Sequence, residues 1–141
     1  EENFKRHGIN FEIKFTNCNK HTIIECQADE ISKAILNLIK NSFDAVMEND
    51  STEKWINIEA SKTDELINFI ISDSGKVIND EISERIFEPL FTTKDIGHGT
   101  GLGLSLARTI ILHHQGEIIL NKDHENTCFI ISLPLTHNSH T

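Results

Sequence analysis

The chain has 141 residues, 38% of them hydrophobic, and sets 13 Lys and Arg against 22 Asp and Glu for a formal charge of -9. That length suits one compact domain over residues 1–141 with a sizeable core, and so acidic a balance leaves no basic surface for a nucleic-acid backbone or an anionic membrane. No apolar run approaches the roughly 20 residues of a spanning helix, and Glu1-Glu-Asn-Phe-Lys-Arg6 does not read as a signal peptide, so a soluble, cytoplasmic domain is expected, with any membrane anchor in regions outside the chain.

Phe11, Ile13 and Phe15 alternate with polar residues as a half-buried strand does, and residues 21–26 read as a second short strand. From about residue 28 to 48 the period becomes helical. Ile31, Ala34, Ile35, Leu38, Ser42, Ala45 and Val46 form one apolar stripe, and Asn37, Asn41 and Asp44 share a narrow polar face beside it. Residues 55–60 and 66–72 read as two strands of a hairpin across Thr63-Asp-Glu65, and the second runs into Asp73-Ser-Gly75. Asn79-Asp-Glu81 offers a helix start, with Pro89 as a stop.

Residues 95–101 are rich in glycine and poor in core formers, which reads as a mobile loop. Residues 102–114 return to helix, with Gly116 as the expected terminator. Residues 117–121 and 127–133 form a last hairpin, closed by Pro134. About three helices and five or six strands, with hairpins outnumbering βαβ units, predict a two-layer α/β (α+β) sandwich: a mixed, mainly antiparallel sheet of about five strands covered on one face by helices.

Cys18, Cys26 and Cys128 are odd in number and widely spaced, and read as reduced, partly buried thiols. Eight histidines invite a zinc reading, yet no His-Glu-x-x-His or paired Cys-x-x-Cys spacing occurs, and His113 and His114 are helix neighbours that point apart; they read as surface or cap residues.

Four signatures follow one another in order: Asn37-Leu-Ile-Lys-Asn41-Ser-Phe-Asp44-Ala45, Asp73-Ser-Gly75, Phe87-Glu-Pro-Leu-Phe91-Thr-Thr-Lys94 and Gly97-His-Gly99-Thr100-Gly101-Leu102-Gly103-Leu104. Each is weak alone. Together they supply an oxygen for a hard cation, a carboxylate acceptor, a flexible ammonium and a glycine-rich turn before a helix, where backbone amides meet anions. Three Asn or Asp residues inside one helix are costly, because their side chains compete with the backbone, and that cost suggests a use.

The set resembles the N, G1, F and G2 boxes of the ATP-binding domain of sensor histidine kinases, in the Bergerat-fold (GHKL) ATPase superfamily. The resemblance implies ATP and Mg2+ as ligands. It places the metal at Asn41 with Asn37 one turn earlier shaping the same site, counts Asp44 among the cofactor-binding residues, and puts the adenine amine at Asp73, with Gly75 letting the backbone approach the base. Phe91, Thr93 and Lys94 belong to one end of an ATP lid, Lys94 reaching the terminal phosphate. Gly97, Gly99, Thr100, Gly101, Leu102 and Gly103 make the phosphate-facing turn, and Asn41 and Lys94 are the catalytic pair. Phe87 reads equally well as a core aromatic, and Lys94 has a solvated surface lysine as its plain alternative.

The family writes its G1 box Asp-x-Gly-x-Gly, and this chain has Val77 at the second glycine. Either the turn takes a φ that valine tolerates or nucleotide binding is weakened. The implied activity is transfer of the ATP γ-phosphoryl to a histidine on a separate helical dimerisation and phosphoacceptor domain, and indirectly to a response regulator. No His-Glu segment with a following Pro precedes Phe11, so that domain is expected to be absent, the chain to bind ATP without autophosphorylating unaided, and the isolated domain to be monomeric. A gyrase-type hydrolase would place a Glu base four residues before Asn41, where this chain has Asn37. A regulatory or degenerate ATP-binding module of the anti-sigma-factor kind stays open through Val77.

Overall fold

The structure is a computed structural model, and it describes residues 2–50, 52–92 and 101–136. In chain order the elements are α1 (Glu2–Arg6), β1 (Asn10–Thr16), α2 (Ala28–Glu48), β2 (Trp55–Lys62), β3 (Leu66–Asp73), α3 (Asp80–Arg85), α4 (Gly103–His113), β4 (Glu117–Leu120) and β5 (Thr127–Pro134). The strands form one sheet in the order β1-β2-β3-β5-β4. β1 runs parallel to β2, and the other neighbours are antiparallel. The mixed α/β sheet expected from the sequence is therefore present, with five strands.

Strict alternation decides which face each strand buries. Ile56, Ile58 and Ala60 of β2, Ile67 and Ile71 of β3, and Phe129, Ile131 and Leu133 of β5 all point inward. Register lines them up, with Ile58 opposite Ile71 and Ile71 opposite Phe129. Against Ile58 and the β3 and β5 residues lie Ile31, Ala34 and Leu38 of α2 and Ala107, Ile110 and Ile111 of α4, making the main core, while Ile56 packs with Ile9 and Val46 in a second, smaller cluster. Leu38 is wholly buried, and truncating such a residue to Ala costs about 2–5 kcal/mol.

Three features differ from the sequence reading. Among the described residues, 21–26 make no ladder; the Glu25 N–H reaches another segment's backbone, at Leu135 O (2.9 Å). Ile24 and Cys26 face the core while Ile23 is 88% exposed, so the alternation that suggested a strand is real, but no strand among the described residues pairs with it. The short helix α1 was not expected. It is held by tertiary contact, Phe4 stacking on Phe11 with ring centroids 4.6 Å apart and meeting Phe43 edge-on.

The end of α4 is the third. Gly116 does not take the left-handed position; Gln115 does, at φ 59. Gln115 N–H donates to Leu112 O (3.0 Å) and Gly116 N–H to Ile111 O (2.9 Å), which is the Schellman arrangement shifted one residue earlier than expected. Gly116 is needed for space instead, because a Cβ there would stand 2.5 Å from Ser132 O and 2.7 Å from Leu133 Cδ2.

Candidate functional site

Asn37, Asn41 and Asp44 do form one row, because positions i, i+4 and i+7 of α2 share a face. They line a cavity of about 530 Å³ with Ala45, Lys76, Val77 and Ile78 after β3, Asn79, Ile82 and Ile86 around α3, Phe91 and Thr92, and Gly101, Gly103 and Leu104 at the start of α4. The size is that of a small-molecule site. Phe91 is braced by the Arg85 guanidinium, 4.7 Å above its ring.

The wall beyond β3 is fixed by backbone contacts. Ser74 N–H donates to Trp55 O (3.0 Å), Ser74 Oγ accepts from Trp55 N–H (2.9 Å), and Ser74 O accepts from the Asn49 carboxamide (2.7 Å). Thr127 Oγ1 donates to Lys76 O at 3.1 Å. The segment carrying Asp73 to Val77 is thus tied to β2, α2 and β5 at once.

Asp73 is completely buried at the end of β3. Its Oδ1 accepts the Gly75 N–H at 2.8 Å. Its Oδ2 and the Ser42 hydroxyl, both buried, have no hydrogen-bond partner among the described residues. Burial pushes the Asp73 carboxyl up from its ordinary 3.8. Ser42, close by but outside hydrogen-bond geometry, and the Gly75 amide offset part of the rise. A buried acceptor without a donor costs about 1–3 kcal/mol, so the position is held against its own stability and suits a donor brought by a ligand. Burial, and then the Asp73 charge, raise the Cys128 thiol as well; Cys18, Cys26 and Cys128 are all free.

Gly75 differs in its reason from the sequence expectation. Its built Cβ would lie 2.8 Å from both Ala45 Cβ and Asp73 Oδ1, so glycine lets the turn seat against α2. Val77 is 62% exposed, and the only non-glycine residues with positive φ among those described are Asn17, Leu90 and Gln115. The turn therefore takes a φ that valine tolerates, the first of the two outcomes set out above.

At the other side of the cavity Leu90 N–H donates to Gly101 O at 2.8 Å. Gly101 has φ +68, and a Cβ there would stand 2.4 Å from the Leu90 carbonyl carbon, so no other residue fits. Gly103 has open space around its Cβ position. Leu102, the N-cap of α4, makes no side-chain cap bond, which leaves first-turn amides of Gly103 and Leu104 at the cavity, at the positive end of the helix. Leu102 itself is 44% exposed and is not a cavity residue. Thr93, Lys94, Gly97, Gly99 and Thr100 lie outside the described residues.

Sequence reasoning missed Ser42, whose signal was a hydroxyl set in an otherwise apolar stripe, and Lys40 and Lys76, the cations among the cavity's described residues. His113 is exposed, while His114 is the buried C-cap of α4 and receives the Gln27 N–H on Nε2 at 3.1 Å. No group of three or more His, Cys, Asp or Glu among the described residues could hold a metal. The oxygens of Asn37 and Asn41 do suit magnesium, which keeps most of its waters and needs few protein ligands.

The chain is similar to known proteins. The family model described as histidine kinase-, DNA gyrase B-, and HSP90-like ATPase matches residues 26–137. The two-component sensor PprA of Pseudomonas aeruginosa is 31% identical over 137 residues, covering 95% of this chain and 15% of that protein. Sporulation kinase B of Bacillus subtilis is 34% identical over 113 residues, covering 79% of this chain and 25% of its own length. This chain thus spans a quarter or less of those two relatives. Among solved structures, a nucleotide-free catalytic domain of histidine kinase ThkA superposes with a TM-score of 0.82 at 30% identity, covering 96% of this chain and 86% of that one.

Proposed function

Because the chain belongs to the histidine kinase-, DNA gyrase B-, and HSP90-like ATPase family, we propose that it binds ATP with magnesium and donates the γ-phosphoryl to a histidine on a separate helical domain in two-component signalling. The observation that carries this reading is Asp73 Oδ2, a fully buried acceptor with no partner among the described residues; Asp73 itself does not line the cavity, but the Gly75 turn that follows it packs against Ala45, which does.

In this reading Asp73 accepts a hydrogen bond from the adenine amine, which guanine, with a carbonyl there, cannot offer. Asn41, with Asn37 one turn earlier, would hold magnesium through carboxamide oxygen, and Asp44 lines the same wall. Magnesium would neutralise charge on the terminal phosphates. The first-turn amides of α4 face the phosphate chain, and Lys40 is placed to add a positive charge. Lys94, outside the described residues, keeps its proposed role at the terminal phosphate. These groups position and neutralise, which is most of what phosphoryl transfer asks of a protein.

Asn37 stands where a hydrolase would need a carboxylate base, which supports transfer to an acceptor over release to water. The experiment incubates the chain with radiolabelled ATP and a matched helical domain bearing the acceptor histidine. Acid-labile labelling of that histidine is expected, and Asp73→Ala abolishes it. ATP binding without any transfer would make the chain a regulatory module instead.

A further inference from the structure

β1 is one of the sheet's two edge strands, and its sequence, Asn10-Phe-Glu-Ile-Lys-Phe-Thr16, is complementary to itself when reversed. We propose that this edge is a self-pairing surface, through which two copies of the chain associate by antiparallel strand addition centred on Ile13.

The backbone is set for it. Asn10 N–H donates to Lys54 O at 2.9 Å, so in this parallel pair Asn10, Glu12, Lys14 and Thr16 turn their backbone groups to β2. Phe11, Ile13 and Phe15 turn theirs outward, and none has a backbone partner there among the described residues. With Ile13 opposite Ile13 of the second copy, Phe11 faces Phe15 and these outward residues become the hydrogen-bonded pairs, two bonds to each. Glu12 and Lys14 then meet as the closer, non-hydrogen-bonded pairs, opposite charge to opposite charge.

The side chains agree. Ile13 and Phe15 lie on the core face of the sheet, in register with buried Ile58 and Ala60, yet are 50% and 47% exposed. A second β1 extends that face over them. Glu12 and Lys14 are exposed and have no side-chain partner among the described residues. An edge guarded against pairing carries charges that repel a copy. Here the neighbouring alignments are disfavoured: an antiparallel slip of two residues sets Lys14 against Lys14 or Glu12 against Glu12, an in-register parallel pairing does both, and a slip of one turns the apolar face to the polar one. Against these, the centred register pairs both charges and keeps the apolar face together.

Sedimentation velocity from low-micromolar to near-millimolar chain tests it. The wild type shifts from monomer to dimer as concentration rises. K14E and E12K each weaken the dimer at least about tenfold, and an equimolar mixture of the two restores it, since each variant then meets opposite charges. Circular dichroism that matches the wild type shows both variants folded. A wild type that stays monomeric throughout, a single variant that dimerises as well as the wild type, a mixture that fails to associate, or assembly beyond the dimer would each overturn the proposal.

Discussion

Leu90 and Gly101 face each other with their backbones in the left-handed region, φ 67 and φ 68, joined by a 2.8 Å bond from the Leu90 N–H to the Gly101 carbonyl. The contact ties the end of the Phe87-to-Phe91 stretch to the turn entering α4, on either side of the cavity. Positive φ strains leucine but not glycine.

Gly101→Ala is therefore expected to cost about 2–4 kcal/mol, from positive φ and from a Cβ driven into the Leu90 carbonyl. ATP affinity falls with it, because the α4 amides lose their placement. Leu90→Gly removes strain and changes stability by less than about 1 kcal/mol. Urea unfolding and calorimetric ATP titration of both variants check the pair. Equal effects at the two positions would contradict it.

Asp73 makes stability depend on pH in a stated direction. Its folded pKa lies above the unfolded 3.8, so the folded state holds the proton more tightly and loses stability as pH rises from 3.8 through the folded value. Asp73→Asn, neutral at every pH, is expected to be more stable than the wild type at pH 7 by on the order of 1 kcal/mol. The difference shrinks toward zero as pH falls to about 3.8. Thermal unfolding across that window reads the sign, and a wild type that outlasts the variant at pH 7 would refute it.

Asn41→Ala is expected to lower ATP affinity about tenfold or more when magnesium is present, and much less when a chelator removes it, since the lost oxygen is assigned to the metal. Asn37→Ala follows the same pattern with a smaller loss. Calorimetry with and without chelator separates the two conditions. Equal losses in both would place Asn41 on the nucleotide instead.

His114 joins the two long helices, accepting the Gln27 N–H before α2 on Nε2 while Nδ1 meets Ile110 O at 2.8 Å on α4. His114→Ala is expected to cost about 1–3 kcal/mol, leaving the Gln27 amide without its acceptor. His113→Ala, on the exposed neighbour, stays within about 0.5 kcal/mol. Chemical denaturation of the two variants side by side is the measurement.

Much of this was readable in the chain. Ala28–Glu48 and the β2–β3 and β4–β5 hairpins follow from periodicity, because a helix repeats every 3.6 residues and a strand every two whatever surrounds them. The Asn37, Asn41 and Asp44 row is legible for the same reason. Where reading failed, a distant segment held the answer. Residues 21–26 alternate like a strand but have no partner strand among the described residues, α1 exists because Phe4 finds Phe11 and Phe43, and Gly116 is glycine because Ser132 and Leu133 crowd it.

The sequence by itself determined the element pattern, the family and the Asn37, Asn41 and Asp44 row on the cavity wall, since these rest on local period and on spacing along one chain. Tertiary structure alone decided that Asp73 is buried with an empty acceptor, that Ser42 stands beside it, that Leu90 closes on Gly101, and that β1 ends the sheet. Burial and strand order depend on which distant segments meet, and no local pattern encodes that meeting.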